Sequence, residues 1–237
     1  MVKYADAHCH LSDAQNIETA LANAHNVGVE MFIVAPADAS QWHDVVNLTH
    51  KNQNVFGCVG IHPWNVCELP QSWADDLEKI LIKNPKIMVG EIGLDKNRPN
   101  MELQTDVFVH QLKFAHKYSR GIHLHCVGCW DMVLKILDEN KHALPPFILA
   151  HGFAGRAEDI KNIADKYNVY FSYGPCTLGQ RLGAGRILKT PLSRILTESD
   201  GADSTVIPSI VSQISEILNV ETDILADIIY KNITQII

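Results

Sequence analysis

The chain has 237 residues, 46% hydrophobic and 20% charged, with 27 acidic against 20 basic residues and a formal net charge of −7. That size and apolar content fit one unit, 1–237, of the α/β barrel class, with no linker, low-complexity tract or short-period repeat to divide it. The acidic balance disfavours nonspecific adhesion to nucleic acid or anionic membrane while leaving room for a substrate held by a few local contacts, and the lack of an apolar run of about 18 residues argues against a membrane span.

Apolar runs near 2–7, 30–35, 55–60, 86–90, 122–125, 146–150, 168–172 and 194–198 alternate with amphipathic segments. Most are continuous rather than alternating, as parallel strands covered by helices require. The first run leads into His8-Cys9-His10, where strand parity puts both imidazoles on one face and Cys9 on the other. Two imidazoles so presented make half of a first-row metal site. Past the third run stands His62, in Gly60-Ile61-His62-Pro63-Trp64, a candidate substrate contact on a loop stiffened by Pro63.

The fourth run carries Glu91 at its end, and a buried carboxylate there needs a cation or strong donors. Its two oxygens suit it to bridge two metal ions about 3.5–4 Å apart. Asp95 is expected to cap the following loop or to orient a ligand. The segment 103–118 reads as a helix with Phe108, Leu112 and Ala115 on its buried face. In the fifth run His123 and His125 share a face; His125, nearer the C-terminal end, is expected to reach the metals, with His123 a deeper core or orienting histidine. His151 ends the sixth run before Gly152, which permits a sharp turn. Asp200 closes the eighth; Glu198 shares its parity, but Asp200 lies nearer the mouth and is the expected proton acceptor. The segment 206–218 places Ile207, Ile210, Val211, Ile214, Ile217 and Leu218 on one helical face. The remaining histidines, His25, His43, His50, His110, His116 and His142, fall in helical stretches and are expected to be solvated.

Eight strand–helix units predict a closed (β/α)8 TIM barrel, and no Gly-rich fingerprint follows strand one to favour an open doubly wound sheet. Such barrels gather reactive groups at the C-terminal ends of their strands. His8, His10, Glu91, His125, His151 and Asp200 should therefore converge from strands one, four, five, six and eight. Six donors are too many for one tetrahedral structural zinc, so two divalent ions are expected. Four imidazoles with two carboxylates suit zinc, manganese, iron or nickel, whereas magnesium prefers more oxygen.

Several motifs now stand together: D-A-H-C-H at 6–10, G-I-H-P at 60–63, G-E-I-G-L-D at 90–95, Q-T-D-V-F-V-H-Q-L at 104–112, H-G-F-A-G at 151–155 and T-E-S-D at 197–200. Over nearly its full length the chain resembles the TatD family of metal-dependent hydrolases, within the amidohydrolase-like barrels. The resemblance implies a (β/α)8 barrel that binds divalent metals, magnesium among them, and deoxyribonuclease activity on phosphodiesters. It implies His8, His10, Glu91, His125, His151 and Asp200 as metal ligands and His62 as a phosphate contact. Three departures stand out: Cys126-Val127 follows His125 where the family usually has x-Arg, Lys96 replaces an aromatic residue after G-L-D, and the Pro-rich loop after the last acid is absent. Lys96, Arg98, Arg181 and Arg186 are the cations available to compensate.

The expected activity is hydrolysis of a phosphate ester, DNA or a small molecule, with Glu91 bridging the metals, Asp200 as general base and His62 on the substrate. A metal-dependent hydrolase of a small-molecule amide, lactone or carboxylic ester is the alternative on the same barrel, and a metal-binding protein without turnover is a third reading. A start at Met1 with no signal-like segment makes a cytoplasmic location the expectation, with no membrane association and no obligate protein partner. The six cysteines, Cys9, Cys58, Cys67, Cys126, Cys129 and Cys176, are expected to be reduced thiols, and the Cys126–Cys129 pair has CxxC spacing outside any thioredoxin-like context.

Overall fold

The computed structural model describes residues 2–237. Eight parallel strands stand in sequence order: β1 (Tyr4–Cys9), β2 (Val29–Val34), β3 (Val55–Val59), β4 (Met88–Asp95), β5 (Ile122–Val127), β6 (Ile148–Ala150), β7 (Val169–Tyr173) and β8 (Ile195–Thr197). Helices run back between them: α1 (Ile17–Asn26), α2 (Trp42–Lys51), α3 (Trp73–Lys83), α4 (Met101–Lys117), α5 (Trp130–Glu139), α6 (Ile160–Tyr167), α7 (Pro175–Leu178) and α8 (Gly183–Lys189). After β8 come α9 (Ile207–Leu218) and α10 (Thr222–Thr234). This is the (β/α)8 barrel that the strand–helix alternation predicts.

Strand parity divides the core in two. Outward side chains such as Phe32, Val34, Ile122, Leu124 and Phe171 pack against the helices, where Phe108, Leu112 and Ala115 of α4 and Ile207, Ile210, Val211 and Ile214 of α9 are buried. Inward side chains, among them Met31, Ile33, Cys58, Met88, Leu149, Tyr170 and Leu196, fill the barrel, with Ile233 and Ile236 packed on the same cluster. Ile217 and Leu218 are half-buried at the end of α9.

The seam between first and last strands is closed by the backbone and by one carboxylate. Asp200 N–H donates to His8 O (3.0 Å) and His10 N–H to Gly201 O (2.9 Å). Buried Asp6 accepts from Ser199 N–H (3.0 Å) and His8 N–H (3.3 Å), so one side chain ties β1 to the end of β8. Burial pushes the Asp6 carboxyl up to about 6, against the pull of these donors.

Of the register shifts along the sheet, two place an extra residue on a strand that carries the site. In β1, Asp6 pairs with Phe32 and Cys9 with Val34, one residue more on β1 than on β2. In β4, Val89 pairs with Ile122 and Ile92 with Leu124, again one residue extra. Each is a bulge, and each turns the next polar side chain, His8 or Glu91, to the inner face. β4 also continues to Asp95, beyond the limit of 90 that its apolar run predicts, because residues 92–95 keep pairing with 124–127 of β5. Glu91 therefore stands in the body of a strand and not at its end. Gly93 has φ +143, and a Cβ there would overlap the His125 carbonyl, so only glycine lets these strands approach.

Replacing Asp6 with alanine leaves two buried backbone donors unpaired across the seam and should lower stability by roughly 2–4 kcal/mol. Urea unfolding, with the slope unchanged and the midpoint reduced, is the check.

Candidate metal centre

The barrel mouth brings together all seven residues singled out from the sequence. His8 is on β1 and His10 one residue past it; Glu91 is on β4, His125 on β5, His151 directly after β6, Asp200 after β8 and His62 after β3. Glu91 sits at their centre, nearly buried, and its two oxygens face different partners. Oε1 lies 3.2 Å from His8 Nε2 and 3.6 Å from His10 Nε2. Oε2 lies 2.9 Å from His151 Nε2, 3.5 Å from His125 Nδ1 and 3.6 Å from His62 Nε2. Asp200 joins the first group, its Oδ1 3.4 Å from His10 Nε2 and 3.8 Å from His8 Nε2.

These separations fit a cation shell. Donors about 2.0–2.2 Å from one ion stand about 2.8–3.6 Å apart at tetrahedral or octahedral angles. His8 Nε2 is buried and close to two carboxylates, yet it makes no hydrogen bond. A buried nitrogen left so is expected where it shares a third atom with its neighbours. Sets of three donors lie within 4.8 Å of one another as His8–His10–Glu91, His8–His151–Asp200 and His62–Glu91–His125.

The outer nitrogen of each ring fixes what the inner one offers. His10 Nδ1 lies 3.0 Å from Ala35 O and must donate to it, so in the neutral ring Nε2 presents a lone pair to the centre. His62 is the reverse. Its Nδ1 accepts Trp64 N–H (3.2 Å), so the neutral ring carries its proton on Nε2 and offers a donor. His125 turns Nδ1 inward, with Nε2 3.7 Å from Asp95 Oδ2. His8 Nδ1 meets Nδ1 of His123 (3.3 Å), the deeper histidine of β5.

Charge within the site follows from burial and from Glu91. Burial lowers His8 to about 4 and His62 to about 3, keeping both neutral. Burial also opposes charge on His10 and His151, but Asp200 and Glu91 hold His10 up at about 9, and Glu91 holds His151 up at about 10. Against its own desolvation, Glu91 is kept ionised, well below the usual carboxylate range, by the His151 charge first and by hydrogen bonds from His125 and His151. Asp200 is likewise lowered against burial, chiefly by the His10 hydrogen bond.

Behind these residues stand supports whose partners local sequence does not mark. Glu198 is buried and faces inward; Oε1 accepts Gly152 N–H (2.8 Å) and Oε2 accepts the Ser172 hydroxyl, fixing the turn after His151. Gly152 makes that turn at φ +52, as its position predicts. Burial raises Glu198 to about 7. Asp95 does both things expected of it: Oδ1 accepts Asn97 N–H (2.8 Å) in the loop, and Oδ2 faces His125 while accepting Trp64 Nε1–H (2.6 Å). Fully buried Gln111 brackets the backbone of Ile61 and fully buried Gln104 that of Asp95, which pins the loops after β3 and β4. Both glutamines belong to the Q-T-D-V-F-V-H-Q-L motif at 104–112, which carries the resemblance without revealing what they hold.

Of the four compensating cations, Arg186 is spent on structure. Its guanidinium donates to Gly155 O, Ala154 O and Gln180 Oε1. Lys96, Arg98 and Arg181 are exposed, and Arg98 lies over the Trp64 ring, 4.2 Å from its centroid. His43, His50, His110, His116 and His142 are exposed and outside the cluster, and His25 is half-buried, edge-on to Phe32. All six cysteines are free thiols; Cys126 and Cys129 Sγ lie 4.0 Å apart. Among the described residues no helix is long and apolar enough to cross a membrane.

A parallel barrel whose mouth gathers imidazoles around a shared carboxylate is an architecture of metal-dependent hydrolases. The sequence matches the TatD related DNase profile over residues 5–237, and the chain belongs to that family. It is 27% identical over 221 residues to YjjV of Escherichia coli, an uncharacterized metal-dependent hydrolase, covering 85% of this chain and 80% of that one. It is 23% identical over 215 residues to deoxyribonuclease Tat-D of Schizosaccharomyces pombe (85% and 69% covered). A 3'-5' ssDNA/RNA exonuclease TatD of Pantoea ananatis is 24% identical over 193 residues (79% and 74% covered). The crystal structure of YjjV superposes with a TM-score of 0.88 at 23% identity, covering 98% of this chain and 97% of that one. That of a TatD family hydrolase from Entamoeba histolytica gives 0.88 at 17% identity, with 100% and 98% covered. Both likenesses bear on the fold.

In protein stripped of metal, His10 and His151 hold protons at neutral pH, since about 9 and about 10 lie above it. A cation must displace them, so metal loading at pH 7 should release about two protons and weaken as pH falls. Calorimetry in buffers of different ionisation enthalpy reads the proton count, and a count of zero contradicts this protonation scheme.

Proposed function

We propose that residues 1–237 act as one hydrolase unit that cleaves phosphate esters, with a DNA phosphodiester as the favoured substrate and two divalent ions as cofactors. The observation that carries the reading is the division of Glu91, whose two oxygens face separate donor sets. His8, His10 and Asp200 would hold one ion with Glu91 Oε1, and His125 and His151 the other with Oε2. Nitrogen-rich donors favour zinc or manganese over magnesium. When bound, such ions supply Lewis acidity to a phosphoryl oxygen and make water more acidic.

The protein's own groups divide the remaining work. Asp200 is ionised and its side chain is 28% exposed, against 4% for Glu91, so it is the carboxylate that solvent reaches. Its free oxygen takes the proton from the attacking water. His62 donates Nε2–H to a non-bridging phosphoryl oxygen, because Trp64 N–H has claimed Nδ1 and left the ring a donor. Asp95 and Glu198 hold His125 and the His151 turn in place. The nuclease names of the yeast and bacterial relatives support the choice of DNA.

A second reading, hydrolysis of a carboxylic ester, lactone or amide, draws on one observation: Val127 stands where the family usually has arginine, and Arg186 is fully engaged elsewhere.

Asp200→Asn should cut turnover of a single-stranded oligonucleotide about 10²- to 10⁴-fold. Full activity of Asp200→Asn with metals bound would show that the proton goes elsewhere. Glu91→Ala should lose both metal content, read by plasma emission, and activity. Acyl-ester turnover without diester turnover by the metal-loaded wild type would favour the second reading.

A further inference from the structure

Beside the centre stands an aromatic side chain that the hydrolytic scheme does not use. Trp64 is 54% exposed, although a large indole on a surface is ordinarily turned inward. It is held in place on two sides. Asp95 Oδ2 accepts its Nε1–H at 2.6 Å, and its backbone N–H donates to His62 Nδ1. Its ring meets the His62 ring edge-on, with centroids 5.0 Å apart, and stands 6.3 Å from His125. The loop below is anchored as well, through Asn65 Nδ2 to Ala37 O and through Gln111. A rigid indole at the lip, one ring away from the phosphate-facing histidine, is preorganised to meet whatever flanks the scissile group.

Arg98 completes the arrangement. Its guanidinium lies over the indole at 4.2 Å, and among the described residues its side chain has no ion-pair or hydrogen-bond partner. Stacking uses the guanidinium's face and leaves its in-plane N–H donors available to an anion. Arg186, by contrast, is exhausted by three acceptors.

We propose that Trp64 and Arg98 form a nucleotide subsite next to the centre, in which the indole stacks an unpaired base and the guanidinium binds a phosphate flanking the scissile one. The inference rests on the phosphodiester reading and narrows it to single-stranded nucleic acid or short oligonucleotides, since a base inside a duplex cannot present its face. Arg98 then supplies from the β4 loop the cation that the strand-five position lacks.

The test measures binding and hydrolysis in parallel on the metal-loaded protein, using a fluorescent short single-stranded DNA and the same strand with abasic residues. Wild type should bind the base-bearing strand about tenfold or more tightly than the abasic one, as base–aromatic stacking of this kind gives. Trp64→Ala should bring that ratio close to one, and Trp64→Phe should keep most of it. Arg98→Ala should weaken both strands alike and reduce the slope of log affinity against log salt by about 0.7. A ratio near one in wild type, or one unchanged in Trp64→Ala, overturns the subsite. Failure of hydrolysis with the binding pattern intact overturns the phosphodiester reading and leaves the subsite standing.

Discussion

A carboxylate taken out of water among five imidazoles is the constraint on which the barrel mouth is built. Glu91 is 3% exposed, and burial alone would drive its proton on. Its partners reverse that, and they come from four separate parts of the chain: β1, the β3 loop, β5 and the end of β6. The same partners hold themselves neutral or charged according to how Glu91 and Asp200 reach them. His8, His62 and His10 have the same side chain, yet His8 is pushed to about 4, His62 to about 3 and His10 to about 9. Such a group of buried ionisable side chains is unfavourable for a scaffold and makes sense as a place for cations.

Geometry reaches this point through two small irregularities. In a regular strand Glu91 would share the outward face of Val89, against the helices; one extra residue in β4 turns it inward. The matching shift in β1 does the same for His8. A bulge on each of two separated strands thus re-aims the carboxylate and one of its imidazoles toward a common point. Gly93 admits the His125 carbonyl directly after one of them, and Asp6 locks the other to the end of β8. The structural and functional roles are therefore joined: the residues that close the barrel seam are neighbours in sequence of those that face the centre.

This also explains what was legible in the sequence. Continuous apolar runs separated by amphipathic segments spelled out the eight strands, and polar residues at the ends of those runs marked the cluster, because a buried polar group needs a partner that an apolar run does not supply. Strand parity puts His8 and His10 on one face despite the β1 bulge, since both lie beyond the extra residue. Glu91 lies inside its strand and not at the end that hydropathy predicts, because the pairing of residues 92–95 depends on β5. Glu198 was visible as an inward candidate, but its choice of Gly152 and Ser172 as partners depends on contacts across the barrel. Asp6 looked like one more polar residue of a motif. Its role belongs to the seam, which brings together residues about 190 apart in the chain.

The acidic chain and an anionic substrate are reconciled at the same place. A formal charge of −7 spread over the surface repels a polyanion at long range, but screening reduces that within about 8–10 Å at ordinary ionic strength. At the mouth the balance would change sign: the two divalent ions proposed above, held by neutral imidazoles and two carboxylates, would leave a net charge of about +2 in a buried setting. On the proposed function, a phosphoryl group would thus be attracted only once it is close. For the proposed substrate, such binding would select short, accessible stretches over long duplex, because affinity would come from the centre and its lip and not from an extended basic face. The absence of arginine after His125 fits this balance, as a nearby cation already carries a guanidinium over an indole at the edge of the site.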